Sequence, residues 1–220
     1  MNKYGMVINL QTCFRSRTCM VGCKVLNRTP TVFDPESGGV EHYRIRPVEW
    51  EEGKYPNVKV ISIPVLCMHC DNPACIPACP EKAISKSPDG ITVVDRNKCV
   101  GCGTCTEACP YGSPYIRDGK AERCDFCSDR LNDGLEPYCV ENCPTKSLIF
   151  GNLNNSNSEI ARLVASGKPK RLLPEAKTNP NVYYIVPNWY EDRWEKLSEN
   201  KSFLKAAAAR KKDISLPIKD

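Results

Sequence analysis

The sequence predicts an α+β fold of two small nested modules built around metal, with a β-hairpin insertion and a helical C-terminal extension. Three observations predict it. Fifteen cysteines fall into four groups along 220 residues. Three of those groups end in Cys-Pro. One phrase occurs twice, as Cys79-Pro80-Glu81-Lys82-Ala83-Ile84 and Cys143-Pro144-Thr145-Lys146-Ser147-Leu148, and each copy closes a cysteine group. An internal repeat of this kind marks a repeated supersecondary unit. Composition points the same way. Hydrophobic residues make up 41% of the chain, but many are cysteine, alanine and valine, and aromatics are only 8%. A chain of this make-up buries little apolar area for its length, so bound metal is expected to supply much of the folding free energy.

The groups are Cys13, Cys19, Cys23; Cys67, Cys70, Cys75, Cys79; Cys99, Cys102, Cys105, Cys109; and Cys124, Cys127, Cys139, Cys143. The third, ending Cys109-Pro110, is the C-x2-C-x2-C-x3-C-P run of bacterial iron–sulfur proteins. A disulfide framework fits poorly: the cysteine count is odd, the cysteines pair as CxxC, and no secretory signal is expected ahead of them. Structural zinc uses isolated CxxC pairs rather than repeated runs closed by Cys-Pro. Covalent haem is excluded because no CxxC is followed by His, and His42 and His69 are the only histidines. The modules are therefore read as ferredoxin-like, of the bacterial 2×[4Fe-4S] type.

Taken in order, Met6 to Leu10 reads as a strand entering the first cysteine group. Tyr43 to Trp50 and Val58 to Ile63 alternate around Glu51-Glu52-Gly53-Lys54 and read as a β-hairpin. Gly90 to Cys99 reads as turn, short strand, turn and next group. The eleven residues between Cys127 and Cys139 form a loop with Asp133-Gly134 as its turn. Asn152 to Asn157 is a polar linker, and Ser158 to Ala165 a helix with Ser158 as cap. The proline-rich stretch 168–188 is expected to lie extended across a surface. Residues 189–212 are expected to be helical, most strongly at Ala206 to Ala209. The domain reading is an outer module of 1–30 plus 120–152, an insertion of 31–60, a central module of 61–119, and an extension of 153–220.

In two-cluster ferredoxins the first three cysteines of a run hold one cluster, and the fourth reaches across to the other. The proline that follows lacks an N–H and fixes its own φ, which turns the chain away. Applied to the central module, Cys67, Cys70, Cys75 and Cys109 hold one cluster, and Cys79, Cys99, Cys102 and Cys105 another. Applied to the outer module, Cys23, Cys124, Cys127 and Cys139 hold a third. Cys13, Cys19 and Cys143 remain, with Ser16 where a fourth thiolate would stand. That last site is expected to hold a [3Fe-4S] cluster, to hold a [4Fe-4S] cluster with serine or another non-thiolate group on one iron, or to be empty. Alternatively Ser16 only hydrogen-bonds within its loop. Arg15 and Arg17 beside it would stabilise a reduced cluster, or face solvent or a partner.

Other function classes find little support. No run of about eighteen apolar residues is present to span a bilayer. The net charge of +5 is mild, and the basic end (Lys201, Lys205, Arg210, Lys211, Lys212) reads as a solvated helix face without a nucleic-acid motif. No nucleophile–base pair, phosphate-binding loop or paired carboxylates stand in a promising context, so no catalytic residue is expected. His69, inside a CxxC, reads as a cluster neighbour. A low-ranking alternative is a catalytic open iron at the Ser16 position, acting as a Lewis acid.

The four motifs in this order, together with Met6-Val7-Ile8-Asn9-Leu10, Cys67-Met68-His69-Cys70-Asp71-Asn72-Pro73-Ala74-Cys75 and Cys124-Asp125-Phe126-Cys127, resemble the iron–sulfur subunit of the dimethyl sulfoxide reductase family of molybdopterin enzymes. The likeness covers about residues 3–152. Leu173-Pro174-Glu175 and Asn181-Val182-Tyr183-Tyr184 look similar to the tails of soluble arsenate reductase and pyrogallol transhydroxylase small subunits. The resemblance implies an electron-transfer subunit with four clusters in line and a large catalytic partner carrying molybdenum or tungsten. The first-motif cluster would lie nearest that partner. Formate dehydrogenase and transhydroxylase complexes are alternatives. A membrane link, through an anchor or a quinone or cytochrome partner, would need a further subunit. Assembly is expected in the cytoplasm, with export only on a partner's twin-arginine signal.

Overall fold

Met6, Val7 and Ile8 are fully buried, and the strand they form is the hub of the fold. The computed structural model describes residues 1–31 and 40–194 and the backbone of 210–211. Its elements begin with β1 (Tyr4–Asn9), α1 (Thr18–Asn27), β2 (Val40–Glu41), β3 (Ile45–Glu52) and β4 (Lys59–Leu66). Then come β5 (Ile84–Lys86), β6 (Thr92–Val94), α2 (Thr104–Ala108), β7 (Tyr115–Arg117) and β8 (Lys120–Glu122). α3 (Ser128–Asn132), α4 (Tyr138–Glu141), β9 (Leu148–Asn152), α5 (Glu159–Ala165), β10 (Lys170–Arg171), β11 (Val182–Ile185) and β12 (Arg210–Lys211) complete the set.

β1 pairs antiparallel with β9 and parallel with β11, giving a sheet in the order β10-β11-β1-β9. The N-terminal strand thus stands beside the strand that follows the fourth cysteine group. β5 with β6 and β7 with β8 are short hairpins flanking the third group. β3 and β4 form a longer hairpin, pairing Ile45 with Leu66 through Glu52 with Lys59. Beyond it, α5 begins at Ser158, whose Oγ accepts from the Ala161 N–H at 3.2 Å.

Two expectations need correction. The stretch 168–188 does not simply cross a surface: Val182, Tyr183, Tyr184 and Ile185 are all buried as β11. Its β-branched and aromatic run pairs with β1, and α5 packed against β9 and β1 lies in the crossover. Of the helix expected over 189–212 only the two ends are described. Asn188–Tyr190 is a 3-10 turn and Glu191 to Trp194 are helical. Residues 195–209 lie outside the described residues, and Arg210–Lys211 pairs as a strand with Val40–Glu41. The extension therefore contributes two strands to the main sheet rather than a helical tail alone.

Candidate metal centres

Each Cys-Pro step makes the same turn. The N–H two residues after the proline bonds the cysteine carbonyl: Lys82 to Cys79 at 3.2 Å, Gly112 to Cys109 at 3.3 Å and Lys146 to Cys143 at 3.1 Å. The donor residue has a positive φ in all three: 49° at Lys82, 59° at Gly112 and 50° at Lys146. Proline sets the first turn position, and the left-handed residue reverses the chain. In the two repeated phrases the next N–H points back at sulfur. Ala83 donates to Cys79 Sγ and Ser147 to Cys143 Sγ, each at 3.3 Å. β5 and β9 then start at the equivalent residues, Ile84 and Leu148.

These turns gather the central cysteines around two recesses. One is lined by Cys67, Cys70, Cys75 and Cys109, with Ala74, Pro110, Tyr111, Thr178 and Arg123 in its wall. The other is lined by Cys79, Cys99, Cys102 and Cys105 with Ile84, Ile116 and Ala121. In the first, burial pushes the Cys67 thiol up to about 11 and Cys70 up to about 12. In the second, the Ala121 N–H donates to Cys99 Sγ at 3.3 Å, and Lys120 Nζ holds the Cys99 carbonyl at 2.6 Å.

Cys19 and Cys23 on α1 stand against Cys139 on α4 where the two helices pack. At that contact a Cβ on Gly22 would stand 2.6 Å from the Tyr138 ring, so glycine is what lets the helices approach. Burial first, then Cys13 and next Cys143, raises Cys19 to about 11. Burial and then Cys127 raise Cys23 to about 12, and Asn27 Nδ2 donates to its sulfur at 3.4 Å. Burial, then Cys23 and Cys127, holds Cys139 well above the usual thiol range. Burial, then Asp125, Cys23 and Cys139, does the same for Cys124. Cys13 and Cys143 thus act on Cys19, Cys23 acts on Cys124, and Cys139 feels Cys23 and Cys127 first and Cys19 after them.

All fifteen cysteines are free. Sulfur-lined recesses with apolar walls and N–H donors aimed at sulfur fit thiolate-held inorganic clusters. A family model described as "4Fe-4S dicluster domain" matches residues 58–153. A tetrathionate reductase subunit of Salmonella typhimurium is 38% identical over 188 residues, covering 84% of this chain and 72% of that protein. The iron–sulfur subunit of arsenate respiratory reductase from Shewanella sp. strain ANA-3 is 31% identical, covering 83% and 96%. One component of the anaerobic dimethyl sulfoxide reductase of Escherichia coli K12 is 35% identical, covering 84% and 89%. This protein belongs to the iron–sulfur subunits of the dimethyl sulfoxide reductase family. It is an electron-transfer subunit rather than a catalytic one.

Three features of this subunit lay beyond the cysteine pattern. The stretch before β11 covers the second motif. The Asn181 N–H bonds the Met68 carbonyl at 2.9 Å, the Asp71 N–H bonds Asn179 O at 2.9 Å, and Asn181 Nδ2 reaches His69 O at 2.8 Å. His69 is fully buried, and its Nδ1 accepts from the Thr92 N–H at 3.0 Å, so the ring proton sits on Nε2. Burial, then Lys86, keeps this imidazole neutral by lowering its pKa well below the usual value. Its ring stacks on Phe126 at 3.8 Å, joining the inner residues of Cys67-x-x-Cys70 and Cys124-x-x-Cys127. Third, Arg123 is buried, and its Nη1 stands 3.3 Å from Cys75 Sγ.

Ser16 lies exposed, and its Oγ accepts from the Thr18 N–H at 3.4 Å and the Thr18 hydroxyl at 3.2 Å. Arg17 is held by Glu49 of β3 at 2.8 Å, so its charge is largely matched. Arg15 lines an open groove with Cys13, Gln11 and Trp189.

Proposed function

We propose that this subunit carries four iron–sulfur clusters that relay single electrons to or from a molybdenum or tungsten pterin subunit. Three would be [4Fe-4S], held by Cys67, Cys70, Cys75, Cys109; by Cys79, Cys99, Cys102, Cys105; and by Cys23, Cys124, Cys127, Cys139. Cys13, Cys19 and Cys143 would hold an atypical one, either [3Fe-4S] or a [4Fe-4S] with a non-cysteine group at the Ser16 position. The observation that carries this reading is the mixing of motifs at the two recesses. Each takes three cysteines from one run and the fourth from the other, as two-cluster ferredoxins do.

When bound, the clusters supply reversible one-electron chemistry. The chain's own residues do the rest. The Cys-Pro turns aim the crossing sulfurs, the N–H groups of Ala83, Ala121 and Ser147 hydrogen-bond to sulfur, and residues 178–181 shut water away from the second motif. The N-terminal strand, residues 4–8, pairs with 148–152, which supports an outer module of 1–30 plus 120–152 wrapped about a central one at 61–119. Among the described residues no helix is long and apolar enough to cross a membrane. A membrane link would run through a further anchor, quinone or cytochrome subunit. Assembly would take place in the cytoplasm, with export on the partner's signal.

Iron analysis and EPR of the reduced, anaerobically purified chain test this reading. About fifteen or sixteen iron atoms per chain and several interacting signals are expected, and about eight would refute four clusters.

A further inference from the structure

Arg123 sits between two carboxylates in sequence, and neither meets it. Glu122 turns to Arg96 at 2.8 Å and to the Tyr115 hydroxyl at 2.9 Å. Asp125 turns to Arg44 at 3.1 Å and accepts the Cys127 N–H at 2.9 Å. The Arg123 side chain runs inward and is 4% exposed. It forms part of the wall of the Cys67/Cys70/Cys75/Cys109 recess, with Nη1 3.3 Å from Cys75 Sγ. Its Nε and Nη2 are buried without a hydrogen-bond partner among the described residues. Guanidinium does not shed its proton in proteins, so a full positive charge is fixed here. A buried charge without a counter-charge is costly. The groups that bear on it are the sulfurs of Cys67, Cys75 and Cys109, and its charge also reaches Cys105 of the second set and His69.

We infer that Arg123 is the resident counter-charge of the cluster held by Cys67, Cys70, Cys75 and Cys109, and that it raises that cluster's reduction potential. The inference rests on the ligand set proposed above. A [4Fe-4S]²⁺ core with four thiolates carries net charge −2. One electron, delivered by a neighbouring cluster or by dithionite in a titration, takes it to −3 with no bond or proton moved. A fixed cation against the sulfur favours the more negative state, and the low dielectric of a buried site strengthens the effect. Arg123 is a positioning and tuning residue here, not a catalytic one.

The test is an EPR-monitored redox titration of the full, cluster-loaded chain as wild type, Arg123→Gln, Arg123→Lys and Cys109→Ala. Cys109→Ala identifies the signal belonging to this recess. That signal's one-electron reduction in Arg123→Gln is expected to weaken at least about tenfold, a fall of about 59 mV. Arg123→Lys should keep most of the wild-type potential, because charge rather than fork geometry carries the effect. If Arg123→Gln loads less iron while Arg123→Lys loads fully, the same dependence on charge is read through cluster affinity, and the inference stands. A wild-type potential in Arg123→Gln, or a lysine variant as impaired as the glutamine one, overturns it. If no signal depends on Cys109, the ligand set itself has failed.

Discussion

Two glycines of the third motif separate backbone strain from steric fit. Gly101 has φ +69° and Gly103 φ +81°, so alanine at either adopts a left-handed conformation costing about 1–2 kcal/mol. Around Gly103 a Cβ would meet nothing within 4 Å. At Gly101 it would stand 2.2 Å from Gly119 O and 2.6 Å from Gly119 C. Those atoms are backbone at the β7–β8 turn, so no side-chain rotation relieves the overlap. The Cys99–Cys102 loop must lift off the hairpin. Lifting it breaks the Lys120 bond to Cys99 O and the Ala121 bond to Cys99 Sγ, each contributing about 1 kcal/mol. Gly103→Ala should therefore cost about 1–2 kcal/mol and Gly101→Ala about 3–4 kcal/mol. Unfolding of a metal-loaded chain is not two-state, so the assay is iron per chain after a chelator challenge, with EPR to identify the missing cluster. Gly101→Ala should lose the cluster of the Cys79/Cys99/Cys102/Cys105 set, about four iron atoms, while Gly103→Ala keeps it. Equal retention in the two variants would refute the steric argument.

Ser16→Cys should change stability by no more than about 0.5 kcal/mol, because its hydroxyl makes only local bonds at an exposed site. It should also convert the atypical EPR signal to that of an ordinary [4Fe-4S] cluster; an unchanged spectrum would remove Ser16 from the ligand position. Cys109→Ala should abolish the signal of the Cys67 set and spare that of the Cys99 set, and the reverse pattern would refute the crossing of the fourth cysteine. His42, stacked on Tyr115 at 4.8 Å, is held below its usual pKa by burial and then by Lys24, against Glu122. Its contribution to stability is full above pH 6.5 and is lost as pH falls below that value. Iron retained per chain after a fixed chelator challenge at pH 7 to pH 5 should fall less steeply in His42→Phe than in wild type, and parallel curves would count against this assignment.

The cysteine geometry was legible because it is local. A CxxC loop, a Cys-Pro turn and the N–H that follows it are set within about one helical turn of chain, and the repeated phrase folds the same way twice. The cover over the second motif was not legible, because it joins Asn181 to Met68 and His69 across 112 residues. Nothing in a proline-rich stretch specifies its partner. β11 was missed for a related reason: Val182 to Ile185 is a good strand, but its parallel neighbour β1 lies at the other end of the chain. Arg123 reads in sequence as one charge among Glu122 and Asp125. The missed signal was alternation, since Ala121 and Arg123 point inward at 3% and 4% exposure while Glu122 between them reaches out to Arg96.

Burial of the sulfurs also bears on how a relay of this kind would work. The four cysteines Cys67, Cys70, Cys75 and Cys109 are all buried, and so are Cys23, Cys124 and Cys139 of the adjoining set. Elsewhere the walls open: Cys13, Cys19, Cys79 and Cys127 are partly buried, and Cys102 is exposed beside Val100. Solvent reorganises around a changing charge and raises the cost of moving an electron, whereas a dry, packed interior reorganises little. The fold places its buried cation, its stacked His69–Phe126 pair and its strand cover around the Cys67/Cys70/Cys75/Cys109 site, whose four sulfurs are all buried, and Cys102 is the one exposed cysteine. A relay gains from a site as dry as this one; an enzyme working at one exposed iron would not need it.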